Sequence, residues 1–264
     1  MPVAFSPDPW LVNLRPNPDA VLRLFCIPYA GGGVPVFRSW IQRLPEEIEV
    51  WVPQLPGRGV RLREPVYTQL DRLVQDFGLA VKPYLGKPYA IYGHSLGALV
   101  GFELVRQFRR EDTALPDHLF FSACRAPQTE ATELPLHNLS DEALKEELVR
   151  LNGTPQEVLE HAELLRMILP MIRGDAEAFE TYTYCPEDPL PIPITAFAGR
   201  WDRRFQVHQV EAWREQTQSG FSFHTIDGDH FFIHNAEDDF FRIFMKEIAP
   251  LARSRQTDEP HPTG

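Results

Sequence analysis

The sequence predicts an α/β fold: a mostly parallel sheet with helices on both faces, carrying one helical insertion. Three observations predict it. Short apolar runs alternate with amphipathic ones along most of the chain, the pattern of strands buried on both faces and joined by helices. That alternation breaks once, from about Thr129 to Pro189, where no strand pattern is visible. An apolar run ending at Tyr92 also leads straight into Gly93-His94-Ser95-Leu96-Gly97, and an amphipathic stretch follows at once. Gly-x-Ser-x-Gly between a strand and a helix is the context in which the pentapeptide builds a tight turn presenting its serine.

Taken in chain order, strands are expected near Val21–Ile27, Glu49–Gln54, Tyr89–Tyr92, His118–Ala123, Ile194–Ala198 and Ser222–Ile226. Helices are expected near Phe37–Leu44, Leu70–Tyr84, Ala98–Arg110, His208–Gln216 and Glu237–Leu251, the last capped by Asn235 with Asp238 three residues on. Within the insertion, Ser140 is placed to cap a helix running to Leu151. Thr154-Pro155-Gln156-Glu157 reads as a capping box for a second helix. Val158, Ala162, Leu165 and Leu169 would share one face of that helix, and Pro170 should kink or end it. The domain expectation is therefore a core of residues 1–128 and 190–253, an insertion of 129–189, and a disordered tail of 254–264. The insertion leaves the C-terminal edge of a strand, where open α/β sheets bind ligands, so a lid over the site is favoured over a purely structural layer.

Composition narrows the class. At 264 residues with 43% hydrophobic content, the chain can bury one large core. No apolar stretch approaches the ~18 residues of a membrane span. The proline-rich N-terminus lacks the basic and apolar regions of a secretory signal. Three widely spaced cysteines, Cys26, Cys124 and Cys185, suit reduced thiols in a cytoplasmic protein and show neither metal-ligand spacing nor a disulfide framework. A net charge of −11 argues against nucleic acid and anionic membranes as partners. No cofactor or metal site is expected.

A serine at neutral pH needs a base, and the base needs an orienting acid. In sheets with this turn the order along the chain is Ser, Asp/Glu, His. Ser95 is then the nucleophile. His230, in the loop after the last strand, is the best base, with His234 as reserve; His208, His224 and His261 are placed less well. Asp202 leaves the C-terminal end of the fifth strand and is the best acid, against the rivals Asp175, Asp227 and Asp229. Leu96 N–H would stabilise an oxyanion at the helix N-terminus. The second donor should come from Pro28-Tyr29-Ala30-Gly31-Gly32-Gly33, with Ala30 first and Gly31 next. A phosphate cradle is the weak reading of that loop, because neither Gly-x-Gly-x-x-Gly nor Gly-Lys-Ser/Thr is present.

Four segments together resemble a known family: Pro28-Tyr29-Ala30-Gly31-Gly32; Leu55-Pro56-Gly57-Arg58-Gly59 followed by Arg61 and Glu64-Pro65; Gly93-His94-Ser95-Leu96-Gly97; and Gly228-Asp229-His230-Phe231-Phe232. They look like the type II thioesterases, the stand-alone editing enzymes of polyketide and nonribosomal peptide assembly lines. The resemblance runs from about Leu22 to Leu251. It implies an α/β-hydrolase fold with a mobile helical lid, and hydrolysis of acyl groups held on the phosphopantetheine arm of carrier proteins. It also implies Ser95, Asp202 and His230 as the triad, the residues already chosen. Leu169-Pro170-Met171-Ile172-Arg173-Gly174-Asp175 is similar to the family's Leu-Pro…Arg-Ala-Asp stretch, with Gly174 where alanine is usual. Tyr29, Gly31, His94, Phe231, Leu165 and Leu169 are the substrate-lining candidates.

The competing readings are a carboxylesterase or lipase acting on oxygen esters, and a non-catalytic binding protein of the same fold. The missing secretory signal weighs against a lipase, and a complete set of triad candidates weighs against a binding protein. Carrier proteins are generally acidic, as this chain is, so docking should be transient and use apolar surface and local arginines. A monomer or weak oligomer is expected.

Overall fold

In the computed structural model, which describes residues 9–256, the strands are β1 (Leu11–Asn13), β2 (Leu22–Ile27), β3 (Ile48–Pro53), β4 (Tyr89–His94), β5 (His118–Ser122), β6 (Ile194–Gly199) and β7 (Phe221–Ile226). They form one seven-stranded sheet in the order β1-β3-β2-β4-β5-β6-β7, antiparallel only where β1 pairs with β3. The six expected strands are all present within a residue or two. The additional β1 is a three-residue edge strand, too short to leave a period-2 pattern.

Alternation along the strands divides the core. Phe25, Ile27, Ile91 and Phe121 face helices α1 (Leu70–Val81) and α2 (Leu96–Arg110) on one side. Leu24, Cys26, Tyr92 and Phe120 face α8 (Glu237–Gln256) on the other, where Phe240 and Phe244 pack against Trp40. The chain moves from β2 outward to β3 and then returns to the opposite side of β2 as β4. That reversal is the switch point at which the loops after β2 and β4 part and leave a crevice.

Several boundaries differ from expectation for physical reasons. The segment expected as a helix over Phe37–Leu44 is a 3₁₀ helix, Val34–Gln42, whose three-residue turn puts Phe37 and Trp40 on the same buried face. The helix from Leu70 gives way to 3₁₀ geometry at Lys82–Tyr84, where Pro83 has no N–H to continue the ladder. α6 covers only Val207–Glu211 and passes into a 3₁₀ turn over Ala212–Gln216. α7 (Phe232–Asn235) precedes α8, and Asn235 does not cap the latter: its amide donates to Asp229 Oδ1 instead. α8 runs five residues beyond Leu251, so the expected tail begins as helix at 254–256, and 257–264 lie outside the described residues.

The insertion contains α3 (Asp141–Leu151), α4 (Gln156–Glu160) and α5 (Ala162–Glu180). Ser140 Oγ accepts the Ala143 N–H, the expected cap. The capping box at Thr154 does not form; Pro155 itself occupies the N-cap position with extended ψ, leaving Thr154 outside the helix. Pro170 does not end its helix either. It costs α5 one backbone bond, while the buried C-terminal half, including Ile172, Asp175, Ala176 and Phe179, holds the helix together. The expected Val158–Leu169 face is thereby split across two helices by extended His161. A Cβ at Gly174 would collide with Val66 Cγ2, which accounts for glycine at that position of this chain. The three cysteines are free, Cys26 and Cys124 buried and Cys185 exposed. Among the described residues, no helix is long and apolar enough to cross a membrane.

Candidate active site

The turn after β4 places Ser95 at φ 54° and ψ −119°, a conformation side-chain-bearing residues rarely adopt. Two glycines make it possible. A Cβ at Gly93 would run into the Gly97 backbone, and one at Gly97 into the Ile27 carbonyl. The Ser95 N–H is tied to Ser122 O at 2.8 Å, so the turn is fixed from β5.

His230 lies in the loop after β7 and Asp202 in the loop after β6. His230 Nδ1 donates to Asp202 Oδ2 at 2.8 Å, which leaves Nε2 as the acceptor facing Ser95 Oγ at 3.1 Å. Asp202 Oδ1 accepts the N–H groups of Arg204 at 2.7 Å and Phe205 at 3.1 Å. Asp202 is thus held by its own loop, and its side chain is 1% exposed. The rivals are engaged elsewhere: Asp227 with Arg200, Asp229 with Phe231 N–H and Asn235, and Asp175 with Arg58. His224 pairs with Glu247, and His234 Nε2 meets the Tyr29 hydroxyl at 3.0 Å. His208 is exposed on α6, and His261 lies outside the described residues.

Ala30 N–H, in the loop after β2, and Leu96 N–H, at the first turn of α2, have no acceptor among the described residues, and both residues line the cavity that contains Ser95 and His230. Gly31, the second choice, is excluded as an oxyanion donor because its N–H is spent on Asp175 Oδ2 at 2.8 Å.

The Ser95 cavity is small, about 50 Å³, and shares Tyr29, Ala30, Leu148, Leu151, Ile172 and Phe231 with a larger one of about 580 Å³. Tyr29, Gly31 and Phe231 line the larger cavity, and burial raises the Tyr29 hydroxyl to about 12, which keeps it protonated. His94 does not line either cavity. It is fully buried, its Nε2–H donates to His230 O at 2.8 Å, and its Nδ1 faces Ser122 Oγ at 2.9 Å. Burial holds His94 well below its ordinary value, so it is neutral. Leu165 and Leu169 also line neither cavity; both pack in the insertion's apolar cluster, while Leu148, Leu151, Ile168, Met171 and Ile172 supply its cavity wall.

Sequence reasoning gave no role to Arg58 or Arg204. Arg58 was visible in Leu-Pro-Gly-Arg-Gly, but nothing along the chain ties it to Asp175, 117 residues away. Arg204 lines the Ser95 cavity and pairs with Glu180 at the end of α5. Burial alone would raise the Glu180 carboxyl, but bonds from Leu136 N–H, His137 and Arg204 outweigh it and hold the group below the usual carboxylate value. Among the described residues, no group of three His, Cys, Asp or Glu side chains is placed to hold a metal ion.

Comparison with known proteins agrees with this geometry. The gramicidin S biosynthesis protein GrsT of Aneurinibacillus migulanus is 42% identical over 90% of this chain and 93% of its own. Among solved structures, the type II thioesterase BorB from the borrelidin cluster superposes with a TM-score of 0.83 at 35% identity, covering 92% of this chain and 98% of BorB. RedJ, a thioesterase of the prodiginine pathway in Streptomyces coelicolor, gives 0.82 at 38% identity over 94% and 95% of the two chains. The thioesterase domain family model matches residues 22–248. The chain belongs to the thioesterase family and has the α/β-hydrolase fold of that family's solved structures.

Proposed function

We propose that this thioesterase removes acyl groups from the phosphopantetheine arm of carrier domains in a polyketide or nonribosomal peptide synthase, as an editing enzyme. The observation that carries the reading is the Ser95–His230–Asp202 array beside two backbone N–H groups unpaired among the described residues, in a small cavity that shares its wall with a larger apolar one of about 580 Å³. That cavity falls within the ~300–1,000 Å³ usual for small-molecule sites. The kinship with proteins of gramicidin, borrelidin and prodiginine biosynthesis supports the choice of substrate.

In this reading Ser95 Oγ attacks the thioester carbonyl while His230 Nε2 takes its proton. Asp202 holds the imidazole in the required tautomer and stabilises the imidazolium. The charge that develops on the carbonyl oxygen falls between Ala30 N–H and Leu96 N–H, the latter at the positive end of α2. The C–S bond breaks, the pantetheine sulfur leaves with the proton from His230, and an acyl-serine remains. Water then adds to the ester, giving its proton to His230, and the acid departs as Ser95 is reprotonated. A thioester has weaker resonance stabilisation than an ester or amide, so this machinery suffices with no cofactor beyond the arm the substrate brings.

The larger cavity would take the acyl chain, and α3 and α4 would act as the lid that admits the arm. Carrier domains would bind transiently, in the cytoplasm, with the enzyme a monomer or weak oligomer. The test compares hydrolysis of an acyl-pantetheine with that of a p-nitrophenyl ester of the same chain length. Preference for the thioester is expected; a strong preference for the oxygen ester would favour a carboxylesterase instead.

A further inference from the structure

Asp175 and Arg58 are both buried, at 3% and 8% exposure, and neither touches Ser95, His230 or Asp202 through any hydrogen bond. Asp175 stands on α5 of the insertion, and Arg58 in the loop after β3. Asp175 Oδ1 accepts from Arg58 Nη2 at 2.7 Å, and Oδ2 accepts both Arg58 Nη1 at 2.7 Å and the Gly31 N–H at 2.8 Å. Arg58 Nη1 also donates to the Gly32 carbonyl at 2.8 Å. The two side chains therefore grip two peptide groups of the loop after β2, Ala30–Gly31 through its N–H and Gly32–Gly33 through its carbonyl.

We propose that Asp175, locked by Arg58, is a positioning residue for the oxyanion hole: the lid helix sets the direction of the Ala30 N–H. The inference rests on the acyl-enzyme reading above. The Gly31 N–H lies in the peptide plane shared with Ala30, so fixing it fixes one side of the Ala30 backbone. Gly31 itself sits at φ +80°, where an L side chain is strained, and a Cβ there would come within 2.8 Å of Ile172 on the same helix. A loop of three successive glycines would otherwise wander, and an oxyanion donor is effective only when already aimed.

Stability alone does not account for the pair. Removing two charges from water costs as much as their attraction returns, and apolar replacements of such pairs are often neutral or stabilising. What an apolar pair cannot do is accept the Gly31 N–H. A second buried link, Glu180 with Arg204 and His137, anchors the end of α5 to the loop that also carries Asp202. The C-terminal half of α5 is in this way a strut between the oxyanion loop and the acid loop.

The experiment uses two inhibitors sharing one alkyl chain. An alkyl trifluoromethyl ketone adds Ser95 Oγ to its carbonyl, passing the hydroxyl proton to His230, and leaves an oxyanion; the matching secondary alcohol binds through its chain only. Both are titrated against the full-length wild type, Asp175→Ala, and the double variant Arg58→Met with Asp175→Leu. The double variant leaves no unpaired buried charge and decides the matter if the single variant fails to fold. In each folded variant, ketone binding should weaken about 10- to 100-fold and kcat for an acyl-pantetheine should fall alike. Alcohol binding and KM should stay as in the wild type. An unchanged ketone-to-alcohol ratio in a folded variant, or equal weakening of both inhibitors, overturns the proposal. A wild type that neither cleaves the acyl-pantetheine nor prefers the ketone instead overturns the acyl-enzyme reading on which it rests.

Discussion

His94, the residue before Ser95, donates from Nε2 to the backbone carbonyl of His230 across 2.8 Å. The bond completes a buried chain: the Tyr92 hydroxyl donates to Ser122 Oγ at 2.8 Å, Ser122 faces His94 Nδ1, and His94 holds His230. The direction follows from its end, since a carbonyl only accepts. Nε2 therefore carries the proton and Nδ1 is the acceptor, which requires the neutral imidazole that burial enforces. His230 is thus located by a side chain as well as by its own loop.

Replacing His94 by alanine should release that carbonyl and leave Ser122 without one partner. The expected result is a loss of about 10- to 100-fold in kcat with little change in KM, because the substrate's binding surface is untouched while the base is displaced. Steady-state kinetics on an acyl-pantetheine would check it, and a rise in KM at unchanged kcat would show that His94 serves binding after all.

Ser95→Ala should remove turnover and preserve the fold. The variant keeps its Cβ, so the strain at φ 54° is unchanged, and among the described residues the lost hydroxyl bonds only to His230. Asp202→Asn should cost on the order of 10³–10⁴ in kcat through the wrong tautomer, by analogy with the serine-protease case. Retention of more than a small residue of activity in Ser95→Ala, measured beside an unchanged circular dichroism spectrum, contradicts the assignment of the nucleophile.

The turn at Ser95, the two loops bearing Asp202 and His230, and the strands feeding them were legible because each is local: a pentapeptide between two periodic runs, then an acidic and a basic residue just past strand ends. β1 was not, since three residues carry no period. The insertion was read as helical, yet its internal boundaries were missed at Thr154 and Pro170, where tertiary burial overrode local capping and proline signals. The misplacement of His94, Leu165 and Leu169 has a common cause. Which face of a helix meets a cavity depends on the packing angle, and a histidine beside the nucleophile can point into the core as readily as into the site. Arg58 and Asp175 were visible as residues but not as a pair, because only the fold closes their separation.

Gly153 abuts the Phe231 ring so closely that an added Cβ would overlap three of its carbons, and Phe231 lines both cavities. Gly153→Val should therefore push the ring toward Tyr29, whose centroid is 4.9 Å away, and reshape the wall the two cavities share. Rates on long acyl chains should fall by about tenfold or more, and those on acetyl or propionyl groups by much less. Measuring kcat/KM across a chain-length series tests this; a uniform loss would mean that Phe231 does not divide the two spaces.

Acid should destabilise the protein through buried histidines. His118, stacked on Phe120 with Nε2 2.8 Å from Thr195 Oγ1, is lowered from 6.5 to about 4 chiefly by burial, against the opposing pull of Glu247 and Asp117. A depressed histidine binds its proton more weakly in the folded chain than in the unfolded one. Its contribution is whole above about pH 6.5 and is lost progressively as the pH falls toward 4. The loss should be on the order of 1–2 kcal/mol by pH 5 for this group. Urea midpoints of the wild type and His118→Gln, taken at pH 7 and pH 5, would reveal it: the variant should lose less on acidification. Equal losses would place the acid sensitivity at other groups, His94 first.

The insertion divides into a part tied to the core by buried ion pairs and a part whose polar ties are exposed. α5 beyond Pro170 is pinned by Arg58–Asp175 and Arg204–Glu180, and packs its Ala176 and Phe179 into the interior. α3 and α4, by contrast, are joined through exposed Asn152 and Pro155; their apolar contacts run through Leu148, Leu151 and Leu159 to the separate cluster over the site, and their polar ties, Asp141 with Arg173 and Asn152 with Asp229, are solvent-exposed. Amide exchange should therefore split within 129–189. Residues of α3, α4 and the turn between them should exchange fastest and be the first cut in limited proteolysis, while the second half of α5 should be protected nearly as well as the sheet. Covering the large cavity with a bound acyl analogue should slow exchange in α3 and α4 and leave α5 unchanged. If the first two helices prove as slow as the sheet, or α5 opens together with them, the insertion is a structural layer or a single rigid flap, and access to Ser95 is governed elsewhere.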